Sequence, residues 1–221
     1  MQSNHKTIII SGAGGVLGKA FIKRLLDDGH SIFASEINSQ KVDELKKIFS
    51  KNLNFYVSTC DVSDEESITD WFAEIQKINE IDVVINNASI TSEYLRKHNQ
   101  LPKDFETTTL ASWQMTIDVS LTGAFLIARE FGKTLGNTKF DSPKKLINLS
   151  SMYALNGPDH QIYKGTSINS FAAYSSAKAG LVGLTKWLST YWGNKNVTVN
   201  AIAPGGVFNN HEKKFKDRLE N

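Results

Sequence analysis

Short aliphatic and β-branched runs alternate with helix-period stretches along the whole chain. The runs fall at 7–11, 31–35, 54–60, 82–86, 145–149 and 197–202, and several are rich in Val and Ile, as strands covered on both faces should be. Between them, apolar residues recur at helical spacing: Leu17, Phe21 and Leu25 after the first run, and Ile68, Trp71, Phe72, Ile75 and Ile78 after the third. Ser63 and Glu66 predict a capping box at the start of that second helix. A helix pair is expected near 112–136 and 172–194. Parallel strands need crossover connections, so this order predicts an α/β fold, a doubly wound parallel sheet in three layers. Two polar, irregular stretches, 89–112 and 156–171, follow strands at the carboxyl edge, where open α/β sheets bind ligands. No Pro/Ser-rich linker, low-complexity tract or repeat interrupts the pattern, and one domain over 1–221 is the expectation.

Composition narrows the function classes. Lys and Arg number 25 against 23 Asp and Glu, a balance that gives no electrostatic reason for a nucleic-acid or anionic-membrane partner. Hydrophobic residues at 40% and aromatics at 10% support a packed core and oppose disorder. The longest uninterrupted apolar run, 124–128, is far shorter than the roughly 20 residues that span a bilayer, and the polar start, 1–6, has no secretory hydrophobic region. Cys60 is the single cysteine; it excludes an internal disulfide, fits a reducing, cytoplasmic setting and reads as a small buried hydrophobe. His5, His30, His98, His160 and His211 show no metal-ligand spacing and read as surface or loop residues, with His160 the one that stands near a substrate. Trp113, Trp187 and Trp192 read as core or interface, and Asp43, Glu44, Lys46 and Lys47 as one solvated helix face.

The first run leads straight into Ser11-Gly12-Ala13-Gly14-Gly15-Val16-Leu17-Gly18 and then a helix. Glycines permit a tight turn and let backbone N–H groups approach a pyrophosphate, which the positive end of the next helix then faces. The spacing is a variant of G-x-G-x-x-G, which would need glycine where Leu17 stands. Glu36 lies 18 residues past Gly18 at the end of the second run, the place of an acidic residue that bonds the ribose hydroxyls of NAD. A carboxylate there repels a 2′-phosphate, and the next cation along the chain is Lys41, so NAD is expected over NADP. A solvent-facing Glu36 is the alternative.

Tyr174 and Lys178 stand at i and i+4 of a helical segment, so phenol and ammonium address one site. A phenol titrating near ~10 is a poor base at neutral pH, and a nearby cation stabilises its phenolate. Upstream, the fifth run ends in Ser150-Ser151, which offers a hydroxyl to a substrate oxygen.

The turn, Asp61-Val62, Asn86-Asn87-Ala88, Asn148-Leu149-Ser150-Ser151, the Tyr174 and Lys178 pair, and Asn200-Ala201-Ile202-Ala203-Pro204-Gly205 occur together in one order. In this the chain resembles the short-chain dehydrogenase/reductase family over nearly its whole length. The resemblance implies strand order 3-2-1-4-5-6 and a Rossmann-type fold. It implies that Gly12, Gly14, Gly15, Val16, Leu17 and Gly18 hold the pyrophosphate, Asp61 and Val62 the adenine, and Asn87 and Ala88 the adenine ribose. Tyr174 is implied as general acid/base, Ser151 as the substrate-orienting hydroxyl, and Lys178 as holder of the nicotinamide ribose. Pro204, Gly205 and Val207 are implied to bracket the nicotinamide carboxamide. The implied reaction is hydride transfer between NAD and a secondary alcohol or ketone.

Five departures from the family pattern stand out. Val16 replaces the middle glycine of the turn. Ser89 follows Asn-Asn-Ala where glycine is usual, and Ser120 takes the place of the asparagine that anchors a proton-relay water. The connection from Ser151 to Tyr174 is longer than usual, with Pro158-Asp159-His160-Gln161-Ile162-Tyr163-Lys164-Gly165-Thr166, and is similar to the insertion of members that oxidise sugars or nucleotide sugars for surface polysaccharides. By resemblance a substrate-covering helix pair and a seventh strand are expected where the sequence closes on the charged run 211–221, and a missing last strand would expose the edge of strand six. A homodimer or homotetramer is implied, with 112–136 and 172–194 as the contact. A small polar, sugar-like substrate is the expectation; the alternatives are a catalytically silent NAD-binding regulatory or partner protein, and a module that binds no dinucleotide.

Overall fold

The computed structural model describes residues 5–136, 140–209 and 213–219. Its strands are β1 (Thr7–Ser11), β2 (Ser31–Glu36), β3 (Phe55–Thr59), β4 (Val83–Asn86), β5 (Lys144–Leu149) and β6 (Val197–Ile202). Its helices are α1 (Val16–Asp27), α2 (Ser39–Ile48), α3 (Glu65–Gln76), α4 (Ser92–Lys97), α5 (Leu110–Ile117), α6 (Gly123–Thr134), α7 (Ala172–Tyr191) and α8 (Lys213–Leu219). The strands form one parallel sheet in the order β3-β2-β1-β4-β5-β6, the order expected from the sequence.

Side chains alternate across each strand, and the two faces bury different helices. Ile9, Phe33, Val84, Leu146 and Val199 pack beneath α3, α6 and the end of α7, through Trp71, Phe72, Ile127, Phe131 and Trp192. Ile8, Ile10, Ile32 and Ala34 face the other way onto Ile22 of α1 and Leu45 of α2. The unbroken apolar stretch in β1 follows, since every residue of that strand is buried. β6 departs from this: Val197 and Val199 are buried, but Thr198, Asn200 and Ile202 are exposed, so it is covered on one face only.

Several local expectations are corrected. α3 is capped by Asp64, whose carboxylate accepts from Ser67 N at 3.0 Å, and Ser63 is instead bonded to Asp61. A carboxylate at this position also suits the positive end of the helix better than a serine. Ile78 falls beyond the end of α3 and is exposed. The stretch 89–112 is not irregular throughout: α4, capped by Thr91 and anchored by the buried Leu95, lies within it, and α5 begins at Leu110. Trp187 is 60% exposed, while Trp192 is buried, and Cys60 is buried as expected. Asp43, Glu44, Lys46 and Lys47 are exposed on α2.

α5 and α6 join through one π turn, Asp118–Thr122, into a helical rod of 25 residues, Leu110–Thr134. By length and composition this rod is apolar enough to cross a membrane; Leu126, Ile127 and Phe131 bury their side chains in the core against the sheet.

Candidate active site at the carboxyl edge

Because the sheet is parallel, the ends of β1, β4 and β5 open onto one edge, with β1 and β5 two strand spacings apart, about 10 Å. Buried amides lock these strands to one another. Asn86 Nδ2 donates to Asn148 Oδ1 at 2.8 Å and to the Ala124 carbonyl of α6 at 3.3 Å. Asn148 Nδ2 donates to the Thr185 hydroxyl of α7 at 2.8 Å, and Thr185 donates on to the Leu181 carbonyl at 2.7 Å. This chain runs from α6 through the sheet to α7, and it fixes the helix that carries Tyr174 and Lys178.

At the end of β1 the backbone turns at Gly12, where φ is +66° and an added Cβ would lie 2.7 Å from Ala88 Cα. That close approach is sealed by Asn87, whose Nδ2 donates to the Ser11 and Gly12 carbonyls, and by the Ser11 hydroxyl, which accepts from Asn87 N and Ala88 N. Gly18 packs equally tightly: a Cβ there would lie 2.6 Å from the Gly12 carbonyl oxygen. α2, α3, α4 and α5 are capped by the side chains of Asn38, Asp64, Thr91 and Thr109. α1 starts at Gly15 with no side-chain cap, and a Cβ on Gly15 would meet nothing nearer than 3.5 Å. Open space before an uncapped helix start fits an anion such as a pyrophosphate.

Glu36 is buried, not solvent-facing; its Oε2 accepts from Gly14 N at 2.9 Å and its Oε1 from Asn38 N at 3.2 Å. A Cβ on Gly14 would meet both Glu36 Oε2, at 2.6 Å, and Lys41 Cδ, at 2.7 Å. The Lys41 side chain therefore lies against this subsite, closer than the spacing along the chain implies. Asp61 and Val62 follow β3: Asp61 Oδ1 accepts from Ser63 N and Oγ, and the buried Val62 packs on Gly123.

Ser151, Tyr174 and Lys178 come together at the end of β5. Lys178 is buried and its Nζ donates to the Leu149 carbonyl at 2.6 Å, 5.5 Å from the Tyr174 ring centroid. Burial lowers its pKa to about 8. The Tyr174 phenol is pushed above its ordinary value by burial, and hydrogen bonding with Ser151 opposes the rise. Ser150 donates from its hydroxyl to the Lys178 carbonyl at 2.8 Å, pinning α7 to β5. Across the edge, Met152 N donates to the Pro204 carbonyl at 3.0 Å, which brings Pro204 and the exposed Gly205 and Val207 beside the serine turn.

Ser120 sits in the π turn, fully buried; its hydroxyl accepts from Ile90 N at 3.0 Å and lies 3.1 Å from the Ser89 hydroxyl. It helps hold the loop after β4, and Val119 packs beside Ile90, Leu95, Phe171 and Ala173 in a small apolar cluster over the edge.

Three residues with no role expected from the sequence also reach this edge. The Tyr153 and Tyr163 hydroxyls are 2.6 Å apart. Arg218 of α8 donates through one nitrogen to the carbonyls of Gln161, Ile162 and Lys164, so α8 clamps the 156–171 connection. Tyr153 stands two residues past Ser151, the one signal that would have pointed to it; Tyr163 and Arg218 meet only through the fold. His160 is exposed, and His211 lies outside the described residues. Among the described residues no group of three His, Cys, Asp or Glu side chains converges as a metal site would need.

The sequence pattern of the short chain dehydrogenase family matches residues 6–220. Among curated proteins, the chain is 29% identical over 213 residues to a 3-oxoacyl-[acyl-carrier-protein] reductase, FabG, of Rickettsia conorii, covering 96% of this chain and 77% of that protein. It is 27% identical over 212 residues to a 2-dehydro-3-deoxy-D-gluconate 5-dehydrogenase of Bacillus subtilis, covering 96% and 75%. Its fold is similar to a short chain dehydrogenase from Leptospira borgpetersenii with bound NAD+, at TM-score 0.78, 24% identity, and 96% and 75% coverage. The RhlG/NADP complex from Pseudomonas aeruginosa is similar at TM-score 0.77, 18% identity, and 92% and 73% coverage. With the family pattern matching nearly the whole chain, and a six-stranded parallel sheet in the order β3-β2-β1-β4-β5-β6, the chain belongs to the short-chain dehydrogenase family.

Proposed function

We propose that this oxidoreductase interconverts a secondary alcohol and a ketone on a small polar, sugar-like substrate, with NAD as its partner. The observation that carries the reading is the meeting of Ser151, Tyr174 and Lys178 at one end of β5, facing an uncapped helix start two strands away. The residues fit a dinucleotide. Gly12, Gly14, Gly15, Val16, Leu17 and Gly18 would hold its pyrophosphate, Glu36 a ribose, and Asp61, Val62, Asn87 and Ala88 the adenosine end. Lys178 and Tyr174 would hold the second ribose, and Pro204, Gly205 and Val207 the carboxamide. When bound, the nicotinamide supplies or accepts the hydride.

The chain's own part is proton transfer. Burial keeps the Tyr174 proton in place, which suits it to donate to a ketone oxygen as that oxygen gains negative charge. Ser151 donates a second hydrogen bond to the same oxygen and fixes the carbonyl against the phenol. A positive charge on Lys178, 5.5 Å from the ring, stabilises the phenolate left behind. In the oxidising direction the same groups act in reverse. Ser120 would hold a proton-relay water through the capacity its hydroxyl keeps beyond the bond it accepts from Ile90 N.

Preference for NAD is supported by the buried Glu36 carboxylate, which accepts from Gly14 N inside the glycine turn, where a 2′-phosphate would meet it. The reading takes 1–221 as one catalytic unit in the cytoplasm, with the buried Cys60 in accord, and a second copy seated on α7, where Trp187 and Tyr191 stack in the open at 4.7 Å. Tyr174→Phe is the test: it should cut turnover of ketones by about 10²-fold or more while NADH fluorescence still reports binding. A Phe variant with near-full rate overturns the proposal, and NADH binding with no turnover by the parent chain favours a silent binding protein.

A further inference from the structure

Two phenols stand beside Tyr174 with no part in the proton transfer. Tyr153 lies on the single helical turn Met152–Ala154 after Ser151, and its backbone N–H donates to the Ser151 hydroxyl at 3.2 Å. Tyr163 belongs to the 156–171 connection, and its hydroxyl meets that of Tyr153 at 2.6 Å. Both side chains are half-buried. The Tyr163 ring rests on Phe215 of α8, with centroids 5.4 Å apart. The connection is held on three sides: Arg218 bonds three of its carbonyls, Arg96 of α4 donates to the Ser167 hydroxyl at 2.8 Å, and Asn169 donates to the Lys103 carbonyl at 3.1 Å. The pair is thus fixed from opposite sides, Tyr153 from the end of β5 and Tyr163 from the clamped connection.

Two hydroxyls that share one hydrogen bond keep one proton between them. The other proton remains to be donated outward, and both oxygens keep acceptor lone pairs. Tyr163 keeps its proton, since burial and the contact with Tyr153 push its phenol above the ordinary value. A neutral group that both donates and accepts is matched by a substrate hydroxyl. A methylene in the same place leaves the outward hydrogen bond unmade, and a site built around such a bond rejects the analogue lacking it.

We infer that the Tyr153 and Tyr163 hydroxyls form a specificity site that selects ketones carrying a hydroxyl on the carbon next to the carbonyl. The inference rests on the oxidoreductase reading and deepens it. Ser151 and Tyr174 would address the reacting oxygen; Tyr153 begins two residues past Ser151, and both Tyr153 and Tyr163 lie near enough to Tyr174 to interact with it, so the pair would address the group beside that oxygen.

The test uses 3-hydroxy-2-butanone and 2-butanone, which differ by one hydroxyl. Affinities are measured by calorimetry with NADH present in the Tyr174→Phe background, where no turnover intrudes. With the pair intact, the hydroxyketone should bind about tenfold tighter, the effect of one net hydrogen bond. Tyr153→Phe should bring the two affinities within about twofold while leaving 2-butanone unchanged, and Tyr163→Phe, which keeps the Tyr153 hydroxyl, should give an intermediate ratio. Equal affinities with the pair intact, including failure of both ketones to bind, overturn the inference. So does a preference that survives in both Phe variants. Turnover by the parent chain reads the underlying proposal separately. A preference without turnover upholds the hydroxyl-recognising pair and counts against simple ketones as the substrate, and turnover without a preference rejects the pair alone.

Discussion

Replacing Lys178 by Met separates what the site needs from what the fold tolerates. The Lys178 ammonium is buried, and its pKa falls from 10.5 to about 8 because the charge is removed from water. Between those values the unfolded chain binds a proton that the folded chain does not, so folding is favoured as pH rises through the window. Below about pH 8 both states are protonated and the full penalty is present. A tenfold change in proton affinity is worth about 1.36 kcal/mol, and integrating from pH 7 to pH 10 gives the wild type a gain on the order of 2–3 kcal/mol over a variant without the amine. The short bond to the Leu149 carbonyl favours the ammonium, so this figure is an upper bound. Urea unfolding of both proteins at pH 7, 8, 9 and 10 measures it, because every other titration is common to the two and cancels. The difference between wild type and Lys178→Met should move steadily towards the wild type with rising pH. A difference that changes by less than about 0.5 kcal/mol, or moves towards the variant, would refute the placement of this charge in a dry site. In the same samples turnover should be lost at every pH, so that a gain in stability at neutral pH coincides with a loss of activity.

The other predictions concern the packing that holds the site. Thr185→Val keeps the shape and removes the hydroxyl, leaving Asn148 Nδ2 without its acceptor; it should cost about 1–3 kcal/mol and lower Tm by roughly 2–12 °C. Thr185→Ser keeps the hydroxyl and should cost about 1 kcal/mol or less; a serine variant less stable than the valine variant would show that the methyl, not the bond, matters there. Gly12→Ala forces a side chain into positive φ and against Ala88 Cα, so it should destabilise by about 2 kcal/mol and weaken NADH binding at least tenfold in a fluorescence titration. Unchanged NADH affinity in a folded Gly12→Ala protein would remove the turn from the cofactor site.

What could be read from the chain was whatever repeats. β1 and β2 are buried throughout, so their composition alone marks them; the alternation of strands and helices predicts the parallel sheet, and its strand order came from the family resemblance. α4 escaped because six residues with one buried side chain, Leu95, carry no period; it is held by a cap and by packing over the sheet edge. The start of α3 was misplaced because Ser63 has a nearer partner in Asp61, leaving Asp64 to take the cap. Ser151, Tyr174 and Lys178 were legible because two of them share a helix face and the third ends a strand. The proximity of Lys41 to Glu36 was not, because it depends on how α2 leaves β2. Tyr163 was invisible for a similar reason: its partner and its support come from segments ten and more than fifty residues away.

The π turn at Asp118–Thr122 gives the long rod one residue more than a regular coil would hold. Each residue turns an α-helix by about 100°, so the two halves present faces that an unbroken coil would not align. The first half seats Thr116 and Ser112 and lies against α7; the second drives Leu126, Ile127 and Phe131 into the core beside α3. Deleting one residue between 118 and 122 would swing one of these faces off its neighbour while leaving the coil itself intact. The length of the chain at this point is therefore dictated by two distant surfaces, and shortening it harms the molecule where nothing chemical has been removed.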